Sequence, residues 1–318
     1  MKDKEFKSID ELINILISRG VNISSSYQRA FVKTSLQKNG YYNVINGYKK
    51  LFLDPVKTQE NNEDYYKTGT TYEEIYALYD FDKNIRMLFL EYILQVEINI
   101  KALIAYIFPQ KYSSDNYLLY KNFDTNKKDS YKKITDLISE IQRLISNRSN
   151  DPSINHYLIN YGYIPLWVLN NILTLGIISK FYSLMKQPER QYLSKKFKMS
   201  DSELESALFY LTKVRNFCAH DNRLYCFRNS TQYIDTKHHI KLNIQHKANG
   251  EYMYGKRDMF ATLIILNDLL SKNEYKKLLK RLNKLLNDFT NKLNVLSEQD
   301  ILSSLGFPSD WQEKLERL

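Results

Sequence analysis

The residues of this chain best suited to chemistry are Arg215, Asn216 and His220, which lie within the segment KVRNFCAHDNRL. An imidazole titrates near neutral pH, so it can take a proton from a hydroxyl or return one to a leaving oxygen. An arginine can stabilise the charge that develops on phosphate oxygens, and Asn216 could orient the histidine or bind a phosphate. Together they suit metal-independent RNA cleavage, in which the 2′-hydroxyl attacks the neighbouring phosphorus and leaves a 2′,3′-cyclic phosphate.

A helix predicted to begin at the capping box of Ser200 and Glu203 must position these three residues. Its apolar stripe consists of Leu204, Ala207, Leu208, Leu211, Val214 and Cys218. Arg215 lies on or beside this stripe, where a guanidinium needs carboxylate, phosphate or carbonyl partners because unpaired burial is costly. On an unbroken helix, Arg215 and His220 point about 140° apart. They converge only if the helix ends between them or if a second copy of the chain completes the site.

The spacing of Arg215 and His220 also has a plainer interpretation, since chance alone supplies such pairs and both residues could simply complement the helix dipole. The other histidines are His156, His238, His239 and His246. His238, His239 and His246 lie among no clustered cysteines or carboxylates, and His156 is expected on the surface in a polar loop, so we predict no metal site and no cofactor. A glycine-rich phosphate loop and a GxSxG elbow are also missing from the sequence.

The composition describes an ordinary globular protein with a basic balance. Its 318 residues carry a formal charge of +10, which favours a polyanionic partner such as nucleic acid or serves solubility alone. The 26 tyrosines could stack on single-stranded RNA or lie in the core. Two cysteines form no disulfide framework, and charged residues interrupt the most apolar stretch, 87–108. We therefore expect a cytoplasmic protein with no membrane partner.

The pattern of apolar residues predicts a mainly α fold, because glycine and proline are few and long stretches have helical period. A long central helix over 82–108, ended by Pro109, carries Glu97 and Lys101 as an i,i+4 ion pair. Alternation over 239–244 and an Asn249-Gly250 turn predict a small β-hairpin. We expect an N-terminal helical and loop region (1–70), a helical core (71–230), and a hairpin with C-terminal helices (231–318), packed as one compact unit.

The segment from Arg215 to His220 resembles the R-x4-H motif of the HEPN superfamily of ribonucleases, and its flanks resemble the Abi-like family of bacterial abortive-infection proteins. The supporting segments run through almost the whole chain: Ser18–Val21, Asn39–Tyr42, Gly47-Tyr48, Leu78–Asp82, Ile85-Arg86, Glu97, Tyr161-Gly162, Pro165–Val168, Leu175-Gly176, Gly306–Pro308 and Trp311. The sequence departs from the family at Lys83, where arginine is frequent, and after Tyr225. Asn222 replaces the tyrosine usual in HEPN toxins that a nucleotidyltransferase modifies.

The resemblance implies a HEPN-type helical bundle with additional N- and C-terminal helices, which forms a homodimer that pairs the two motifs. It also implies an antiviral, toxin-like endoribonuclease that cleaves cellular or phage RNA and in some relatives is restrained by a small RNA. The residues carried over are Arg215, His220 and Asn216 for catalysis, Arg223, Tyr225 and Lys213 for RNA binding, and Glu97, Asp82 and Arg86 for support of the site.

Three functions remain open at this level. The first is a dimeric endoribonuclease that uses Arg215 and His220. The second is an RNA-binding or scaffold protein of the same fold whose motif binds a phosphate without cleaving, restrained by or carrying a small RNA. The third is a helical partner-binding module with no role in RNA.

Overall fold

The computed structural model describes residues 5–318, and these residues are mainly helical, as the sequence predicts. In chain order the α-helices are α1 (Ile9–Ser18), α2 (Ser26–Asn39), α3 (Pro55–Asn61), α4 (Tyr72–Tyr112), α5 (Ser130–Asn147), α6 (Pro152–Tyr161), α7 (Leu166–Leu169), α8 (Leu175–Leu184), α9 (Gln187–Lys195), α10 (Asp201–Ala219), α11 (Lys237–Lys241), α12 (Met259–Leu269), α13 (Lys272–Thr290), α14 (Glu298–Leu305) and α15 (Trp311–Glu316). Between residues 5 and 318, no helix carries an apolar run sufficient to cross a bilayer.

The described residues divide into two compact units that alternate along the chain. The first contains the chain up to Leu88, with Asp221–Phe227 and Lys277–Ser309. The second contains Phe89–His220, Arg228–Lys276 and Asp310–Leu318. This arrangement differs from the three successive regions expected over 1–70, 71–230 and 231–318.

In the first unit, Glu74 ties the start of α4 to the C-terminal stretch of the unit. Its buried carboxylate accepts hydrogen bonds from the backbone N–H groups of Asn294, Val295 and Leu296 at 2.9 to 3.0 Å. Hydrogen bonds to a charged acceptor are stronger than neutral ones, so a single side chain connects segments more than 200 residues apart in sequence.

In the second unit, α10 packs against α8, α9 and α12. Helix α12 is buried along almost its whole length, and the Tyr210 hydroxyl of α10 donates to the carbonyl oxygen of Asp258, the residue that caps α12. Ser200 and Glu203 form the predicted capping box at the start of α10, with the Glu203 N–H bonded to the Ser200 hydroxyl oxygen at 3.1 Å. The helix that carries the motif is therefore held by three other helices of the second unit.

The predicted β-hairpin is reduced to one antiparallel bridge between His246 and Tyr252. The first predicted strand begins instead as helix α11, because Thr236 and His239 form a capping box. Buried His239 accepts the Thr236 N–H at Nδ1 and donates from Nε2 to the Gly255 carbonyl oxygen at 2.9 Å. These side-chain hydrogen bonds stabilise the helical turn more than a short hairpin would, because a short hairpin forms few hydrogen bonds between its strands.

Helix α4 also departs from the predicted end at Pro109, since it continues for about one further turn to Tyr112. Proline has no backbone N–H to donate within a helix, and its ring clashes with the carbonyl group one turn earlier. Contacts with the rest of the protein can outweigh this cost. Within that extra turn, the buried Glu189 carboxylate accepts hydrogen bonds from the Lys111 ammonium and the Tyr112 hydroxyl, whose ring packs on Phe108. These tertiary contacts stabilise the end of the helix.

Candidate active site

The apolar stripe of α10 is buried as the sequence predicts. Its members are Leu204, Ala207, Leu208, Leu211, Val214 and Cys218. Arg215 lies beside this stripe with 28% of its side chain exposed. Asn216 and His220, one helical turn apart, are both exposed. The structure therefore brings Asn216 and His220 together on one face and turns Arg215 to a neighbouring side of the helix.

Arg215 faces the carboxylate of Glu97 on α4, with 3.9 Å between Arg215 Nε and Glu97 Oε2. Both atoms are buried and have no hydrogen-bond partner. The other carboxylate oxygen, Glu97 Oε1, accepts from Lys101 Nζ at 2.7 Å, which confirms the predicted i,i+4 pair. The separation of Arg215 and Glu97 is too long for a hydrogen bond. The guanidinium is thus held by charge while its Nε donor remains unused.

Helix α10 is unbroken through Ala219, and the His220 N–H still bonds to the Asn216 carbonyl oxygen at 3.1 Å. On a regular helix, two residues with the spacing of Arg215 and His220 would point about 140° apart. Asp221, with φ of +54°, then takes the left-handed conformation that ends many helices. The sequence left two ways to bring Arg215 near a histidine: a helix end between Arg215 and His220, or a second copy of the chain. The first does not occur, because α10 extends to Ala219.

In the first unit, Arg86 of α4 fastens the residues that follow His220 in the chain. Its guanidinium donates to the Asn222 carbonyl oxygen at 2.9 Å and lies 3.2 Å from the Asp221 carboxylate. It also lies 3.6 Å from Asp82, one turn earlier on α4. Arg86 and Asp82 are both buried, so this pair is shielded from bulk water, whereas the Asp221 side chain is exposed. Arg86 therefore holds Asp221 and Asn222 within the first unit.

Asp82 forms the buried centre of the same group. It accepts hydrogen bonds from the Tyr48 hydroxyl at 2.7 Å and from the Tyr225 N–H at 2.5 Å. Burial raises the pKa of Asp82 from its usual 3.8 to about 6, although these two hydrogen bonds and Arg86 oppose the rise. Tyr48, 34 residues from Asp82, had no signal in the sequence as part of this group.

Tyr225, which the resemblance assigns to RNA binding, packs in the interior of the first unit. Its ring is buried and stacks on Tyr48 with 5.4 Å between the ring centroids. A base could not stack on this ring without displacing Tyr48. Arg223 is half-buried and packs closely on Gly47: a Cβ added to Gly47 would lie 3.0 Å from Arg223 Nε. Lys213, by contrast, is exposed on α10.

The pH dependence of stability provides a test of the buried Asp82 carboxyl. Between about pH 4 and pH 6 the folded protein holds a proton on Asp82 that the unfolded chain has lost. The contribution of Asp82 protonation to the free energy of unfolding is therefore fully present below about pH 4 and is lost as the pH rises through 6. We expect Asp82→Asn, which keeps the side-chain shape without ionising, to reduce this decline.

Urea unfolding of both proteins from pH 4 to pH 7 would measure the difference. Buried Asp258, in the second unit, has its pKa raised to about 6 by burial and adds a similar decline to both proteins. Subtracting the variant from the parent isolates the contribution of Asp82. Two curves that remain parallel over this range would contradict the assignment.

Two of the histidines outside the motif, His238 and His239, have structural partners. His238 Nε2 lies 2.8 Å from both carboxylate oxygens of Asp268, and His239 bonds to backbone on both sides. In the part of the chain that the structure describes, no three metal-binding side chains gather into a possible site. His238 and His239 are therefore held by structural contacts, whereas His156, His220 and His246 are exposed.

Comparison with protein families decides the relationship of the chain. The family described as Abi-like protein matches residues 34–226, more than half of the chain, and this range includes α4, α10 and the motif. The chain belongs to the Abi-like family. Membership suggests an abortive-infection protein. Searches of the curated proteins and of the solved structures gave no match for this Abi-like protein.

Proposed function

We propose that this Abi-like protein is a metal-independent endoribonuclease of the HEPN superfamily, acting in anti-phage abortive infection. The observation that supports this most is the exposed pair Asn216 and His220 at the end of α10, beside Arg215, whose side chain is partly exposed. An accessible imidazole, an amide and a guanidinium on adjoining helix faces are suited to a phosphodiester.

In the proposed reaction, the imidazole of His220 takes the proton of the ribose 2′-hydroxyl as that oxygen attacks the adjacent phosphorus. The bond from phosphorus to the 5′-oxygen breaks, and a general acid protonates the leaving oxygen. Arg215 stabilises the negative charge on the nonbridging oxygens, and Asn216 orients the imidazole or the phosphate. The products end in a 2′,3′-cyclic phosphate and a 5′-hydroxyl.

The proposal includes a homodimer, because one helix directs Arg215 and His220 about 140° apart. A two-fold axis would supply two histidines, one as base and one as acid. A candidate contact surface lies in the second unit, where exposed Ile98, Tyr106 and Trp167 line a cavity of about 640 Å³ together with Lys101. Clustered exposed apolar side chains of this kind mark interaction surfaces.

In the cell, such an enzyme would act in the cytoplasm on cellular or phage RNA and would need restraint, for which a small RNA is a suitable partner. The net charge of +10 supports binding of RNA as substrate or as inhibitor. The alternative is that the same surface binds RNA without cleaving it.

The test is incubation of the protein with RNA in EDTA, after a high-salt wash that removes any bound RNA. We expect fragments to accumulate in EDTA. Binding at low salt without fragments would favour the RNA-binding alternative, and the affinity should fall steeply as salt rises. No binding at low salt would leave only a protein-binding module.

A further inference from the structure

Four exposed side chains form a stripe along the C-terminal half of α10: Phe209, Lys213, Asn216 and His220. Their spacing of four, three and four residues places them on one face of the helix. At 1.5 Å per residue, Phe209 lies about 16 Å and Lys213 about 10 Å before His220 along the helix axis. Phe209 and Lys213 therefore extend the exposed face of α10 beyond the candidate catalytic residues Asn216 and His220.

Phe209 is 43% exposed although its neighbours Leu208 and Tyr210 are buried in the core. Lys213 lies over its ring, with 5.3 Å between the Lys213 ammonium and the ring centroid. This arrangement places a cation over one face of an aromatic ring that is partly exposed. An aromatic surface with an adjacent cation is the combination that binds a nucleobase and its phosphate in single strands.

We propose that Phe209 and Lys213 form a nucleotide subsite, in which a base of single-stranded RNA stacks on Phe209 and Lys213 contacts a phosphate. This inference rests on the proposed function, because the same RNA strand would continue along α10 to Asn216 and His220. It deepens that function by assigning the substrate class: an unpaired segment, since a base within a duplex cannot present its face to Phe209.

The charges along α10 fit an anionic strand between Phe209 and His220. Lys213 is the charged residue of the exposed stripe there. Glu205, one turn before Phe209, lies 3.9 Å from Lys127, so its charge is partly offset. The positive charge of Lys213 favours an anionic partner such as RNA on this face over a basic partner. It also predicts that the contribution of Lys213 to binding depends on salt.

The experiment measures binding of a short single-stranded RNA to protein that carries His220→Ala, so that cleavage does not interfere. Phe209→Ala added to this background should weaken binding about tenfold to a hundredfold, the usual effect of losing one base–aromatic stack. Phe209→Trp should restore binding because it offers a larger ring. Lys213→Ala should reduce the slope of log affinity against log salt by about one.

Tyr192 provides a matched control on α9. It is an exposed aromatic residue with the ammonium of Lys196 5.0 Å from its ring centroid, but it lies on another helix. Tyr192→Ala should leave binding of the single strand unchanged. In otherwise wild-type protein, Phe209→Ala should raise KM while leaving kcat nearly unchanged, as expected for a residue remote from the reacting atoms.

The subsite would be overturned by unchanged single-strand binding in Phe209→Ala, by an equal loss for duplex RNA, or by a change of oligomeric mass that accounts for the loss. No binding by the His220→Ala protein at low salt would overturn it as well. Failure of the proposed function is separate, because it would appear as binding that depends on Phe209 in a protein that never cleaves RNA.

Discussion

Replacement of His220 by alanine is expected to lower the rate of RNA cleavage by about 10²–10⁴-fold, the usual contribution of general acid–base catalysis. The imidazole is exposed at the end of α10, whereas the His220 backbone N–H bonds to Asn216. Alanine keeps this backbone bond and removes no buried packing. The free energy of unfolding should therefore change by less than about 0.5 kcal/mol, as for most surface substitutions.

The measurement is a single-turnover cleavage rate at saturating protein, together with thermal unfolding of each variant. His156→Ala is the matched control, because His156 is an exposed histidine on another helix, α6. We expect the control to cleave at the wild-type rate. Cleavage by His220→Ala at the wild-type rate would remove His220 from the mechanism.

Replacement of Arg86 by alanine is expected to destabilise the first unit by about 3–5 kcal/mol, the usual cost of removing one member of a buried charged pair. The substitution leaves Asp82 without its nearby cation and leaves the carbonyl oxygen of Asn222 without a donor. It also releases Asp221, the residue that follows His220. Cleavage should fall as well, because the chain beside His220 loses its anchor.

Urea unfolding measures the loss of stability, and hydrogen exchange over 221–227 reports whether this segment opens locally. Arg86→Lys is the informative comparison, since it keeps the charge but lacks the fork that serves Asp221 and Asn222 together. We expect Arg86→Lys to recover part of the stability and less of the protection from exchange. Equal protection in all three proteins would show that Arg86 does not hold the segment.

Local sequence patterns predicted the helix that carries the motif. The capping box at Ser200 and Glu203, the buried stripe of α10, and the i,i+4 pair of Glu97 and Lys101 all depend on residues within one or two helical turns. Spacing of that kind is visible in the sequence because the helix itself imposes it. The same spacing could have revealed Phe209 and Lys213 as the continuation of the exposed face.

Contacts between distant segments were not predictable in this way. Asp82 joins Tyr48 and Tyr225 across 34 and 143 residues, so no short pattern indicates that these side chains meet. The stacking of Tyr225 on Tyr48 is likewise a contact between residues far apart in the chain. The hairpin expected near His239 failed for a related reason, since the Gly255 carbonyl that binds this histidine lies 16 residues away.

The central claim is that RNA is cleaved through its own 2′-hydroxyl at the site formed by Arg215, Asn216 and His220. The most direct measurement analyses the ends of the fragments formed in EDTA, alongside a substrate with a 2′-deoxy nucleotide at the cleaved position. The account predicts 2′,3′-cyclic phosphate ends and no cleavage at the deoxy position. Fragments with 3′-hydroxyl ends, or cleavage of the deoxy substrate at that position, would contradict it.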